Sequence, residues 1–100
     1  MEIKVTNKTA FSLIEIQKNG SPASAQNPIS VEEYQSVHFP EANGQLAVIS
    51  GMPASALALA ALYYKNTFGA IAIANPRDGI AEIVHSVKPA YKVGTVVPLQ

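Results

Sequence analysis

The stretch Leu46–Tyr64, LAVISGMPASALALAALYY, contains no charged side chain. It approaches the length of a membrane span, but Ser50-Gly51 and Pro53 interrupt it early. A strand, a tight turn and a helix is the reading those interruptions favour. Leu46–Ser50 is a continuous apolar run of the kind buried on both faces in a parallel sheet. Pro53 suits the first turn of a helix, where its missing N–H costs nothing. Residues 54–66 follow with the alanines and leucines of a strong helix former. Asn66 and Gly69 read as stop signals, and Gly69–Ala74 as a second buried strand.

Two short alternating runs precede this unit. Ile3 and Val5, then Phe11, Leu13, Ile14 and Ile16, are separated by Asn7-Lys8-Thr9 and predict a β-hairpin that ends at Asn19-Gly20-Ser21-Pro22. Residues 20–30 read as a polar loop. Ser30-Val31-Glu32-Glu33 has the spacing of a capping box and predicts a short helix that stops before Pro40. After the helical unit, Asn75-Pro76-Arg77-Asp78-Gly79 has the composition of a turn. Ile80–Val87 alternates as a strand, with Glu82 and His85 on opposite faces. Val93–Leu99 reads as the last strand. The expectation is one α/β domain over residues 1–100: a small mixed sheet with a central right-handed βαβ crossover, flanked by hairpins.

Composition narrows the function. Hydrophobic residues make up 48% of the chain and charged residues 14%, well below the usual quarter or so. So little charge on so small a chain favours association with a second copy. The Ala/Leu helix, apolar all round, points the same way, although the Ser30–Phe39 segment is an alternative cover. Seven basic and seven acidic residues cancel, so the chain lacks the basic face that long nucleic acids demand. The absence of cysteine excludes disulfides, thiolate metal sites and cysteine nucleophiles. It agrees with a cytoplasmic setting, as does an N-terminus without the apolar core of a signal peptide.

In a βαβ unit both strands run the same way, so Ser50-Gly51, the N-terminus of the helix and Asn75-Pro76-Arg77 are expected at one edge of the sheet. Ligands favour that edge, and helix N–H groups favour anions there. Gly51 permits close approach of the backbone, Ser50 offers a hydroxyl, and Arg77, the chain's single arginine, is a planar fork suited to phosphate. Each residue also has a plainer role. Ser50-Gly51 serves equally as a tight turn, and Arg77 as a surface partner of Asp78 or Glu82. Tyr63 and Tyr64 serve as packing residues, either hydroxyl being able to reach a ligand, and His85 as a structural histidine. No His-x-x-His spacing, P-loop or nucleophile elbow is present.

The segment Val48-Ile49-Ser50-Gly51, followed by Phe68-Gly69-Ala70-Ile71-Ala72, Asn75-Pro76-Arg77-x-Gly79 and His85-Ser86, resembles a small CRISPR-associated accessory family of type III systems, distantly related to CARF ligand-binding domains. The resemblance spans Leu46 to about Val97. It implies a CARF-like fold, homodimers that stack into larger assemblies, and manganese-dependent ring-nuclease cleavage of cyclic oligoadenylate, cyclic tetra-adenylate in particular. The family has also been regarded as an RNA-binding exonuclease, which makes short RNA a second candidate ligand. On that model Ser50 and Gly51 line the ligand pocket, Arg77 grips phosphate, and His85 or Ser86 lies nearby. Ser50, Gly51, Arg77, Ser86 and Tyr64, whose hydroxyl can reach a ligand, are the candidate ligand residues, and Asn75 and His85 the candidate catalytic positions. Two departures bear on the chemistry. The family turn reads Asp-Pro-Arg where this chain has Asn75, and the family helix carries histidines where this chain has Tyr63, Tyr64 and Asn66. An amide neither holds a divalent metal nor accepts a proton as a carboxylate does. The alternatives are therefore a non-catalytic binder of the second messenger or of RNA, and a structural interaction module.

Overall fold

The computed structural model describes residues 1–18, 20–22 and 28–100. Seven strands and two helices follow in the order β1 (Glu2–Asn7), β2 (Ser12–Lys18), β3 (Ser21–Pro22), α1 (Val31–Ser36), β4 (Gly44–Ser50), α2 (Ala54–Tyr64), β5 (Phe68–Asn75), β6 (Ile80–Ser86) and β7 (Val96–Pro98). They form one mixed sheet of order β1-β2-β4-β5-β6-β7, with β3 on β2. The strands β2, β4 and β5 are parallel, and antiparallel hairpins flank them. The chain is thus a small α/β domain whose centre is the expected strand–helix–strand unit. Asn19 and residues 23–27 of the expected polar loop lie outside the described residues.

Why β4 and β5 tolerate no charge is visible in the two cores. On one face, Ile14, Ile16, Ala47, Ile49 and Ile71 pack with Ala56, Ala60 and Tyr64 of α2. On the other, Phe11, Leu46, Val48, Ala70, Ala72, Ala81 and Ile83 pack together, with Tyr91, Val97 and Leu99 of the C-terminal segment against them. Successive residues of β4 therefore alternate between two dry environments. The capping box forms as expected: Ser30 Oγ accepts from Glu33 N at 3.2 Å, and a Glu33 carboxylate oxygen accepts from Ser30 N at 3.1 Å.

Four expectations are corrected. Pro53 is the N-cap of α2 rather than its first turn, since Ala54 is the first helical residue. Gly69 lies inside β5 and stops nothing; the Lys88 side chain crosses the space a Cβ would fill there. The last strand is only Val96–Pro98, because Lys92–Thr95 closes a turn with Gly94 at φ +93°. A bulge in β6 breaks the strict alternation of Ile80–Val87. Ile83 pairs with Ala72 and His85 with Ile71, so Val84 is the extra residue. Glu82, opposite Ile73, and His85, opposite Ile71, consequently share the α2 side of the sheet.

α2 is not covered all round by its own chain. Ala56, Ala60 and Tyr64 are buried, but Leu62 and Tyr63 are 62% and 50% exposed. The Ser30–Phe39 segment does cover part of the helix, through Phe39, whose ring stacks on Tyr63 at 4.4 Å.

Candidate functional site

The parallel register of β4 and β5 sets the first group of residues. Ile49 pairs with Ile73, so Ser50 ends one strand as Ala74 and Asn75 end the next. Gly51, Met52 and Pro53 then turn the chain into α2, which has no side-chain cap. Asn75–Gly79 turns back into β6, held by Asp78 N to Asn75 O at 3.1 Å and Gly79 N to Pro76 O at 3.2 Å. Ser50, Gly51, the first turn of α2, Asn75 and Arg77 therefore share one edge of the sheet.

At this edge Arg77 is exposed and forms no ion pair with Asp78 or Glu82 among the described residues. Asp78 is held instead by Asn75, whose Nδ2 donates to its carboxylate at 2.8 Å. Gly51 has φ +132° and packs on Ile16 of β2. Its missing side chain thus serves contact with the sheet as well as the turn.

Tyr64, His85 and Ser86 stand elsewhere. β6 runs antiparallel to β5, so His85 lies beside Ile71, four positions before Asn75. That is roughly 13 Å along the strand from the Arg77 turn. The Ser86 hydroxyl is engaged locally, donating to Lys88 O at 3.0 Å and accepting from Lys88 N at 3.1 Å. Tyr64 is 1% exposed at the far end of α2, and its hydroxyl donates to Pro40 O at 2.6 Å. Burial, with the neighbouring Tyr63 in second place, pushes its phenol up to about 12. Of the residues named by the sequence, Ser50, Gly51, Asn75 and Arg77 share one edge, and Tyr64, His85 and Ser86 do not join them.

The structure adds three residues that sequence reasoning passed over. Glu15 of β2 pairs with Ser50, and Lys4 of β1 pairs with Glu15. Paired residues project to the same face, so a cation, an anion and a hydroxyl form a row ending at Ser50. Their polar positions within the alternating hairpin strands were the available signal. Ser55, in the first turn of α2, is a third addition. Its hydroxyl lies 3.0 Å from that of Tyr34, and nothing in the local sequence links the two.

Among the described residues, no three His, Asp or Glu side chains converge as a metal site, and no helix is long and apolar enough to cross a membrane. No protein-family model matches the chain, and no curated protein matches its sequence.

Proposed function

We propose that this protein binds a phosphate-bearing ligand at the edge formed by Ser50, the uncapped N-terminus of α2 and Arg77. The ligand we infer is cyclic oligoadenylate of CRISPR type III signalling, bound by a CARF-like domain between copies of the chain. One observation carries the reading: the ends of two adjacent parallel strands, a helix start without a side-chain cap and a guanidinium with no ion pair among the described residues share one edge. Backbone N–H groups of the first turn and the Arg77 fork supply donors that a phosphodiester takes up. Glu15 and Lys4 lie in register with Ser50 on the face of the sheet away from α2.

Binding without cleavage by a lone chain is the form the geometry favours. His85 and Ser86 are a strand's length from Arg77, and Ser86 is engaged with Lys88. Cleavage in this scheme needs a second copy to bring its opposite edge to the ligand. The residues of one chain do not fit a manganese ion. Asn75 presents an amide N–H to Asp78 rather than a carboxylate, and among the described residues no three His, Asp or Glu side chains gather as a metal site. No step is therefore assigned to a metal. A ribose 2′-OH held in line with its own phosphodiester remains a metal-free route, driven by positioning.

The test is incubation of purified protein with labelled cyclic tetra-adenylate, with and without manganese, reading bound fraction and product together. Binding that Arg77→Ala weakens by an order of magnitude or more, without linear product, is the expected outcome. Linear product would establish a ring nuclease. Neither binding nor product would leave Ser50-Gly51 as a turn and sink the reading.

A further inference from the structure

At the edge opposite Arg77, a cavity of about 660 Å³ opens beside the C-terminal end of α2, within the size range of small-molecule sites. Among the described residues its walls carry one charge, the carboxylate of Glu41. Tyr63 and Tyr64 form an aromatic side, and Asn7, Asn43 and Thr67 add amide and hydroxyl oxygens. The aromatic side is packed against its neighbours. Tyr63 stacks on Phe39 at 4.4 Å and meets Tyr64 edge-on at 4.9 Å.

Helix polarity adds to this. The C-terminal end of a helix carries partial negative charge on carbonyls without intrahelical partners. Lys65 N takes the Ala61 carbonyl and Thr67 N the Tyr64 carbonyl, but no backbone N–H among the described residues takes those of Leu62 or Tyr63. A carboxylate and a helix C-terminus favour a cation and disfavour an anion; the rings serve as an apolar wall, since Phe39 covers one face of Tyr63 and Tyr64 is buried. The cavity exceeds what one ammonium head fills, so an alkyl chain is accommodated along Val5 and Ala42. We propose that this cavity is a site for a small organic ammonium of the polyamine class, separate from the phosphate edge and independent of the function proposed there.

Titration of isotope-labelled protein with spermidine, followed by amide chemical shifts, tests the assignment. Saturable shifts at Asn43, Tyr63 and Thr67 are expected, weakening as salt rises. Glu41→Gln and Tyr63→Ala, both at exposed positions, should each weaken binding about threefold to tenfold, whereas Glu32→Gln on α1 leaves it unchanged. Acetate should produce no shift at these positions. Non-saturating shifts spread over all acidic residues, or an affinity unaffected by Glu41→Gln, would overturn the site.

Discussion

Gly51 lies directly on Ile16: a Cβ at Gly51 would sit 2.9 Å from the Ile16 carbonyl oxygen and 3.0 Å from the Ile16 Cβ. The obstacle is mostly backbone of a central strand, which cannot give way cheaply. The φ of +132° is itself a conformation that side chains avoid. Gly51→Ala should therefore destabilise the fold by about 1–3 kcal/mol, read as a lower urea midpoint with an unchanged slope. Ser50→Ala, one residue earlier and half-buried, should shift that midpoint far less. An unchanged midpoint for Gly51→Ala would mean that the β4–α2 turn relaxes freely, and that Gly51 is available to a ligand after all.

Arg77 separates binding from folding most cleanly. It is exposed, and no ion pair ties it to the described residues. Arg77→Ala should leave the melting temperature unchanged. Loss of hydrogen bonds from a charged donor, worth about 1.5–3 kcal/mol, should weaken cyclic oligoadenylate about 10- to 100-fold. Arg77→Lys should recover only part of this, because an ammonium lacks the bidentate fork. Equal affinity of the alanine variant would remove Arg77 from the site.

The strand–helix–strand centre was legible because burial on two faces leaves a run such as Leu46–Ser50 with no polar alternation to mistake for anything else. The capping box was legible because Ser30 and Glu33 are local to each other. Sheet order was not, since the parallel pairing of Ser12–Glu15 with Ala47–Ser50 depends on contacts remote in sequence. That pairing puts Glu15 beside Ser50, which the sequence gives no reason to expect. The side of His85 was misread for a different reason. A single extra residue, Val84, moves every later side chain of β6 to the other face, and no glycine marks the bulge. Ser50 and Arg77 were correctly placed together because parallel strands emerge at one edge. His85 and Ser86 came along only by resemblance, and the antiparallel return of β6 carries them to the opposite edge of the same chain.

Tyr64 should act as a stability sensor at alkaline pH. Its phenol is pushed up to about 12 from an ordinary 10, chiefly by burial. A raised folded-state value favours the neutral form, so the associated stability is complete below pH 10 and is lost as pH climbs from there toward 12. Tyr64→Phe should remove one late-titrating phenol from the alkaline absorbance curve. It should cost about 1 kcal/mol at neutral pH, because Pro40 O loses its donor. A Tyr64→Phe protein as stable as the parent would show that water replaces that donor.

Glu33 should govern the acid side. It accepts from Lys18 Nζ at 2.8 Å, from the Met1 amine at 2.9 Å and from Ser30 N at 3.1 Å. The ammonium of Lys18 first, and the terminal amine second, hold its carboxyl at about 2 against an ordinary 4.5. A depressed folded-state value favours the ionised form. The linked stability is therefore present above pH 4.5 and disappears as pH falls toward 2. Glu33→Gln should lower the urea midpoint at neutral pH, and the gap between variant and parent should narrow over that window. High salt should narrow it only in part, because both pairs are partly shielded from solvent. A gap that stays constant from neutral pH down to pH 2 would mean that Glu33 acts only by capping α1 through its neutral hydrogen bonds, and that the two cations contribute nothing.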